Sequence, residues 1–279
     1  MSIAGVVRKD LLDVRRSNLV RGVGLLYLAF TVLFFWGTGT TGATDMYMSL
    51  WMMIAIAILI IPLIALVAAY LSVAGERQSG NLKFLLSYPN NRRDVVIGKL
   101  VARSTVVAVA IAFAYAVGLA VAMYYYPEVF IGDFVAFVGL TLLYALVYVS
   151  IAVAISAATS TRSRAMGASI AVWFVLNVFW NFLPIQPRTV VSFVADKLGT
   201  TVSTNIKDLV WALSPTGAYM NSMQLVFPDS YIRQIGQRQW LDPNTPFYLD
   251  GWFMLVILAV WLVVPLLLGY WRFERADLG

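Results

Sequence analysis

The 279 residues include 20 Lys and Arg against 14 Asp and Glu, a formal charge of +6, yet only 12% of the chain is charged and 61% is hydrophobic. That composition, with a mean hydropathy of +0.80, excludes an ordinary water-soluble domain. The absence of Cys and His excludes disulfides, thiolate ligands and imidazole chemistry.

From the N-terminus, Ile3, Val6, Val7, Leu11 and Val14 recur at helical spacing, with Arg8, Lys9, Asp13, Arg15 and Arg16 on much of the other side. Residues 1–18 read either as an interfacial helix lying on the inner leaflet or as a basic flank that anchors orientation. No cleavable signal peptide is expected, because five basic residues precede the first apolar stretch.

Six uncharged stretches follow, at residues 22–44, 46–75, 104–127, 134–161, 165–187 and 251–271, and all 34 charged residues lie outside them. A hydrocarbon core about 30 Å thick needs roughly 20 helical residues. The expected fold class is therefore an all-α polytopic membrane protein of six transmembrane helices, a single transmembrane domain over residues 1–279. A β-barrel is disfavoured because its strands alternate apolar and polar residues. Small residues at every second position from Ala108 to Ala122 predict a third span buried in the bundle. Pro62, Pro184 and Pro265 are expected to kink their spans.

Basic residues concentrate in alternate connections. The N-terminus, the second-to-third and fourth-to-fifth connections and the C-terminus hold fifteen Lys and Arg with six acids, while the opposite side holds five with eight acids. The positive-inside bias puts both termini in the cytoplasm of a multi-pass protein of the cell membrane. The basic balance thus reports topology and a lipid bilayer, not nucleic acid. Residues 188–250 form an external loop or cap, with Ser214-Pro215-Thr216-Gly217 read as a turn and some flanking pieces as short helices dipping into the outer leaflet. No internal repeat is evident.

The connection over residues 76–99 carries the most distinctive pattern. Ser79 is placed to cap a short helix over residues 81–87 that Pro89 stops, with Leu82, Leu85 and Leu86 on one apolar face and Asn90-Asn91 as the turn into the next helix. Such a helix either docks into a groove of a soluble partner or lies on lipid headgroups. Within the spans, Asn177 and Asn181 stand four residues apart and face either a substrate path or a neighbouring helix. Met46, Met48, Met52 and Met53, with Met220 and Met223, are copper(I)-capable thioethers, though adaptable apolar filler is the simpler reading and no metal site is assigned.

The run Glu76-Arg77-x-Ser-Gly-x-Leu-Lys-x-Leu-Leu-Ser-x-Pro, followed by Arg92-Arg93-Asp94-Val95-Val96-Ile97-Gly98-Lys99, resembles the intracellular signature of ATP-binding-cassette permeases of the second exporter class. Arg8-Lys9-Asp10-Leu11 and the terminal run from Gly269 to Leu278 extend the resemblance over the whole chain. It implies a non-catalytic exporter subunit with an N-terminal elbow helix, paired with a second copy or a related permease, and docked on a separate cytoplasmic ATPase. Residues 76–99 would then be the coupling loop, with Glu76, Arg77, Leu82, Leu85, Leu86, Arg92 and Arg93 carrying ATPase coupling and Glu76 pairing with Arg92 or Arg93. The chain lacks a Gly-x-x-x-x-Gly-Lys-Ser/Thr phosphate loop, so it needs no cofactor and any ATP is used by the partner subunit. The alternatives are an ATPase-independent secondary transporter or channel, or an assembly factor such as the branch of this family that serves copper-site maturation.

Overall fold

The computed structural model describes residues 3–15, 17–82 and 91–276, and among them helix is the only regular structure. The described chain runs α1 (Ile3–Arg15), α2 (Asn18–Thr40), α3 (Met46–Ala69), α4 (Ala74–Gln78), α5 (Arg92–Tyr125), α6 (Ile131–Ala158) and α7 (Arg162–Trp173). A π-helical segment, Phe174–Phe179, extends α7. Beyond it come α8 (Pro187–Lys197), α9 (Thr204–Ala212), α10 (Pro215–Ser222), α11 (Asp229–Gln234) and α12 (Gly251–Glu274).

Five helical segments are long and apolar enough to cross a bilayer: Val20–Thr40, Met46–Gln78, Arg92–Tyr125, Ile131–Ala158 and Gly251–Glu274. Hydrocarbon offers the backbone no hydrogen bonds, so an uncharged run of this length satisfies itself as helix. The stretch 165–187, expected as one more continuous span, is instead α7, the π segment and then a turn containing Pro184. Pro184 therefore kinks no helix.

α3 and α6 are the central helices, with Tyr144 and Tyr148 of α6 wholly enclosed. The α5 expectation is corrected. Only the Ala114, Gly118 and Ala122 ridge is buried, with Gly118 so close to Thr31 and Phe35 that a Cβ would fall 2.8–3.1 Å from their side chains, while Ala112, Ala116 and Ala120 face outwards. One small-residue ridge suffices to seat α2, and among the described residues no helix covers Ala112, Ala116 and Ala120 of the other. On the opposite face of α6, a Cβ added at Gly269 of α12 would fall 2.5 Å from the Ala154 Cα, so glycine sets that helix separation.

Both interior prolines lie where neighbours supply hydrogen bonds. Pro62 has no N–H to give the Ile58 carbonyl four residues earlier, and the Tyr144 hydroxyl donates to it at 3.2 Å. Near Pro265, Ser150 donates to the Leu262 carbonyl at 2.5 Å.

Residues 214–222 are not a surface turn. Ser214 accepts from the Gly217 N–H at 2.9 Å, Pro215 occupies the first helical position, and α10 is buried between α6 and α12. Thr216 and Tyr219 reach the α6 hydroxyls Tyr144 and Thr141 at 3.0 and 2.8 Å. The segment joining the last two apolar stretches thus contributes to the core of the bundle.

Candidate functional site

At the end of the bundle where α1, α4 and the first turns of α5 meet, the structure assembles an ion cluster. α1 turns Val6, Asp10 and Val14, spaced by four, inwards, each 2% exposed or less. This face is narrower than the expected apolar side, since Ile3 is left exposed. α1 lies on α5 at Gly98, where a Cβ would stand 2.7 Å from Val6. That close approach carries Asp10 to the next turn of α5. Lys99 Nζ donates to Asp10 Oδ1 at 2.6 Å and to Glu76 Oε1 at 2.7 Å. Arg103, one turn further along α5, donates through Nε to Asp10 Oδ2 at 2.7 Å, through Nη2 to Asp10 Oδ1 at 3.1 Å, and through Nη1 to the Ala68 carbonyl at 2.7 Å.

Lys9 completes the cluster from the solvent side, 3.1 Å from Glu76 Oε1. Asp13 brings a carboxylate oxygen within 4.8 Å of those of Asp10 and Glu76. Three carboxylates thus meet three cations, and the group is close to neutral. This balance matters because Asp10 and Lys99 are each only 1% exposed, and a buried charge is tolerated when it is paired and hydrogen-bonded. Glu76 Oε2 is buried and accepts no hydrogen bond among the described residues.

Glu76 therefore pairs with Lys99 and Lys9, not with Arg92 or Arg93 as expected. The reason is helical phase. Lys99 lies two turns into α5 on the face towards α1 and α4, whereas Arg92 starts the helix and turns to α12. Arg92 Nη1 donates to the carbonyls of Phe273, Glu274 and Ala276, the latter two at 2.8 Å, and its guanidinium stands 5.4 Å from the centroid of the Phe273 ring. A cation there meets the negative end of α12 and fills its unpaired carbonyls. Arg93 is exposed beside it. Arg77 lies on α4 next to Glu76, and Leu82 is buried in the core.

Ser79 terminates α4, its hydroxyl donating to the Glu76 carbonyl at 3.2 Å, and Gly80 reverses the chain at φ 78°. Of the helix expected over 81–87, Asn81 and Leu82 are helical; Leu85, Leu86 and the turn residues Pro89 and Asn90 lie outside the described residues. Asn91 begins α5, its backbone N–H donating to the Asp94 carboxylate at 3.1 Å in a capping box. Both described ends of the connection are thus firmly held.

Asn177 and Asn181 belong to a second polar node in the middle of the bundle. Asn177 Oδ1 accepts from Thr216, Tyr148 and Tyr144 at 2.9, 3.1 and 3.3 Å, and its amide donates to the Trp173 carbonyl at 3.1 Å. The Asn181 amide donates to the Leu176 and Asn177 carbonyls at 3.0 and 3.1 Å and accepts from Trp211 Nε1 at 3.0 Å. The Asn181 amide meets carbonyls at the end of the π segment, where the helix gives way to a turn. The two side chains also tie α7 to α6, α9 and α10. Replacing Asn177 by Leu leaves three buried hydroxyls without their common acceptor. A loss of about 1–3 kcal/mol is expected, read as a lowered thermal midpoint in detergent.

Met46 and Met48 sulfurs accept from the Phe130 N–H and the Tyr231 hydroxyl at 3.0 and 3.7 Å, Met53 is core, and Met52 is exposed.

Sequence reasoning missed Lys99, Arg103 and Asp10 as partners. The available signal was the spacing of Lys99 and Arg103 one helical turn apart, which put two cations on one face of α5 and required a buried acid elsewhere.

Comparison with known proteins bears on the whole chain. The profile described as "ABC-2 family transporter protein" matches residues 4–278. The probable ABC transporter permease protein NosY of Pseudomonas aeruginosa is 29% identical over 184 residues, 63% of this chain and 67% of the relative. Its namesake in Stutzerimonas stutzeri is 27% identical over 186 residues, 64% of this chain and 67% of the relative.

Proposed function

The chain belongs to the ABC-2 family of transporter proteins, and from that membership we propose a permease subunit that a separate ATPase drives from the cytoplasmic side. The permease role rests on the family and its permease relatives. The observation that carries the coupling reading is the buried cluster Asp10–Lys99–Glu76, because it joins α1 to both described ends of the 76–99 connection. A push on a loose loop dissipates in that loop. A push on this one is delivered to α1, α3 and α5 together.

In this reading α1 is the elbow helix, residues 76–99 are the coupling loop, and both termini are cytoplasmic. The fifteen-to-five division of basic residues supports that orientation. α7 with its π segment is the sixth membrane-embedded helix, entering from the cytoplasmic side, and the chain beyond it builds an outer cap from residues 188–250, out of which α10 packs back into the bundle. Two permeases pair, ATP binding closes the ATPase dimer, and its differential affinity for the two permease states moves substrate outwards. Asn177 and Asn181 hold the wall of the substrate path in shape.

Co-expression with an ATPase encoded beside it tests the proposal. The wild-type permease should retain the ATPase through a tag on the permease and support ATP hydrolysis. Leu85→Asp with Leu86→Asp should lose the ATPase while inserting normally, and Glu76→Ala should uncouple transport from hydrolysis. Normal co-purification and transport in all of these variants would overturn the coupling role.

A further inference from the structure

We infer that the groove between α6, α7 and α12 holds an acyl chain of an anionic glycerophospholipid, whose phosphate sits at Arg272. α7 and α12 both lean on α6 but stand apart over its surface, leaving a volume of about 670 Å³. The groove runs from Ala158 and Arg272 at the end of the bundle that carries the ion cluster towards Leu176 and Trp261 at mid-helix. Its lining is aliphatic and aromatic except for Arg272, which is exposed and has no ion pair or hydrogen bond among the described residues.

The charge pattern selects the occupant. Arg162 and Arg164 open α7 four and six residues after Ala158, and no acid pairs with either among the described residues. The acid nearest in sequence to Arg272, Glu274, already accepts from the Tyr270 hydroxyl at 3.0 Å. Arg272 thus sets a positive charge at one end of an apolar groove, the arrangement that suits a phosphate with a hydrocarbon chain, and Arg162 and Arg164, outside its lining, begin the neighbouring helix. A second copy of the chain fits less well. The acids of its crossing helices stand only near their ends, at Glu76, Asp94, Asp133 and Glu274, so the apolar stretches that would cover the groove bring it no counter-charge.

The test uses the detergent-solubilised permease alone, so the ATPase-coupling proposal does not enter. Delipidated protein is titrated with phosphatidylglycerol or phosphatidylcholine brominated on the acyl chain, and the quenching of Trp261 is taken as the difference between wild type and Trp261→Phe. Phosphatidylglycerol should quench Trp261 at lower concentration than phosphatidylcholine, and Arg272→Gln should weaken its apparent affinity about fivefold, the effect of one basic side chain at a membrane surface. Native mass spectrometry, counting lipids retained by wild type and Arg272→Gln, makes the same comparison without altering Trp261. Equal quenching and equal retention of the two lipids would overturn the inference in favour of a groove bathed by bulk lipid. Trp261 shielded from both lipids in a dimeric protein would overturn it in favour of a second copy.

Discussion

Lys99→Met should lower the stability of the permease by about 3–5 kcal/mol, the usual cost of removing one partner from a buried ion pair. The side chain is of similar length, so packing is nearly kept and the loss is electrostatic. Lys99 is 1% exposed and gives Asp10 and Glu76 their shortest contacts, at 2.6 and 2.7 Å. Without it, Asp10 keeps Arg103, and Glu76 keeps Lys9, at 3.1 Å, among the ion pairs of the described residues. The thermal midpoint in detergent reads the loss. Asp10→Asn in the same background should cost less than the sum of the two single changes, because the amide needs no cation, and a double-mutant cycle measures that coupling. Arg93→Gln, exposed at the start of α5, serves as a control expected within about 0.5 kcal/mol of wild type.

Gly217→Val should cost about 3 kcal/mol or more, at the upper end of overpacking effects. A Cβ at this position would fall 2.3 Å from the Trp211 carbonyl oxygen and 2.9 Å from its carbon. Both are backbone atoms and neither can rotate away. To accommodate the side chain, α10 must move, and Thr216 and Tyr219 would leave their partners on α6. The expected result is a low yield of monodisperse protein and a depressed melting temperature. Gly139→Ala, on α6 with nothing within 4 Å of the added carbon, should be neutral or stabilising by up to about 1 kcal/mol. Equal behaviour of the two variants would show that α10 is not wedged in the core.

Helices α2, α3, α5, α6 and α12 were legible because crossing lipid demands a long uncharged run, and composition alone reveals such runs. The region 165–187 meets the same criterion and still departs from it. Absence of charge says nothing about which carbonyl each N–H meets, and the Asn177 and Asn181 amides meet backbone carbonyls there. α10 was hidden for a different reason. Ser, Pro, Thr and Gly are turn formers in water, yet Ser before Pro is also how a helix begins, and only the packing of α6 and α12 decides between the two. Of the candidate site, Glu76 was singled out by its motif. Its partners were not, since Lys99 and Asp10 lie 89 residues apart and no periodicity links them. Arg92 and Arg93, closer in sequence, were the natural but mistaken choice for Glu76.

The insertion of α10 also bears on biogenesis. As α6 leaves the ribosome, the Tyr144 hydroxyl can already reach the Ile58 carbonyl of α3, but Asn177 and Thr216, which complete its surroundings, are made 33 and 72 residues later. α12 comes later still and closes over α6 and α10 together. The membrane-inserted chain therefore stays half-assembled until its last quarter is translated. A truncation before residue 214 should be recognised and degraded by membrane quality control, even though it carries most of the apolar spans.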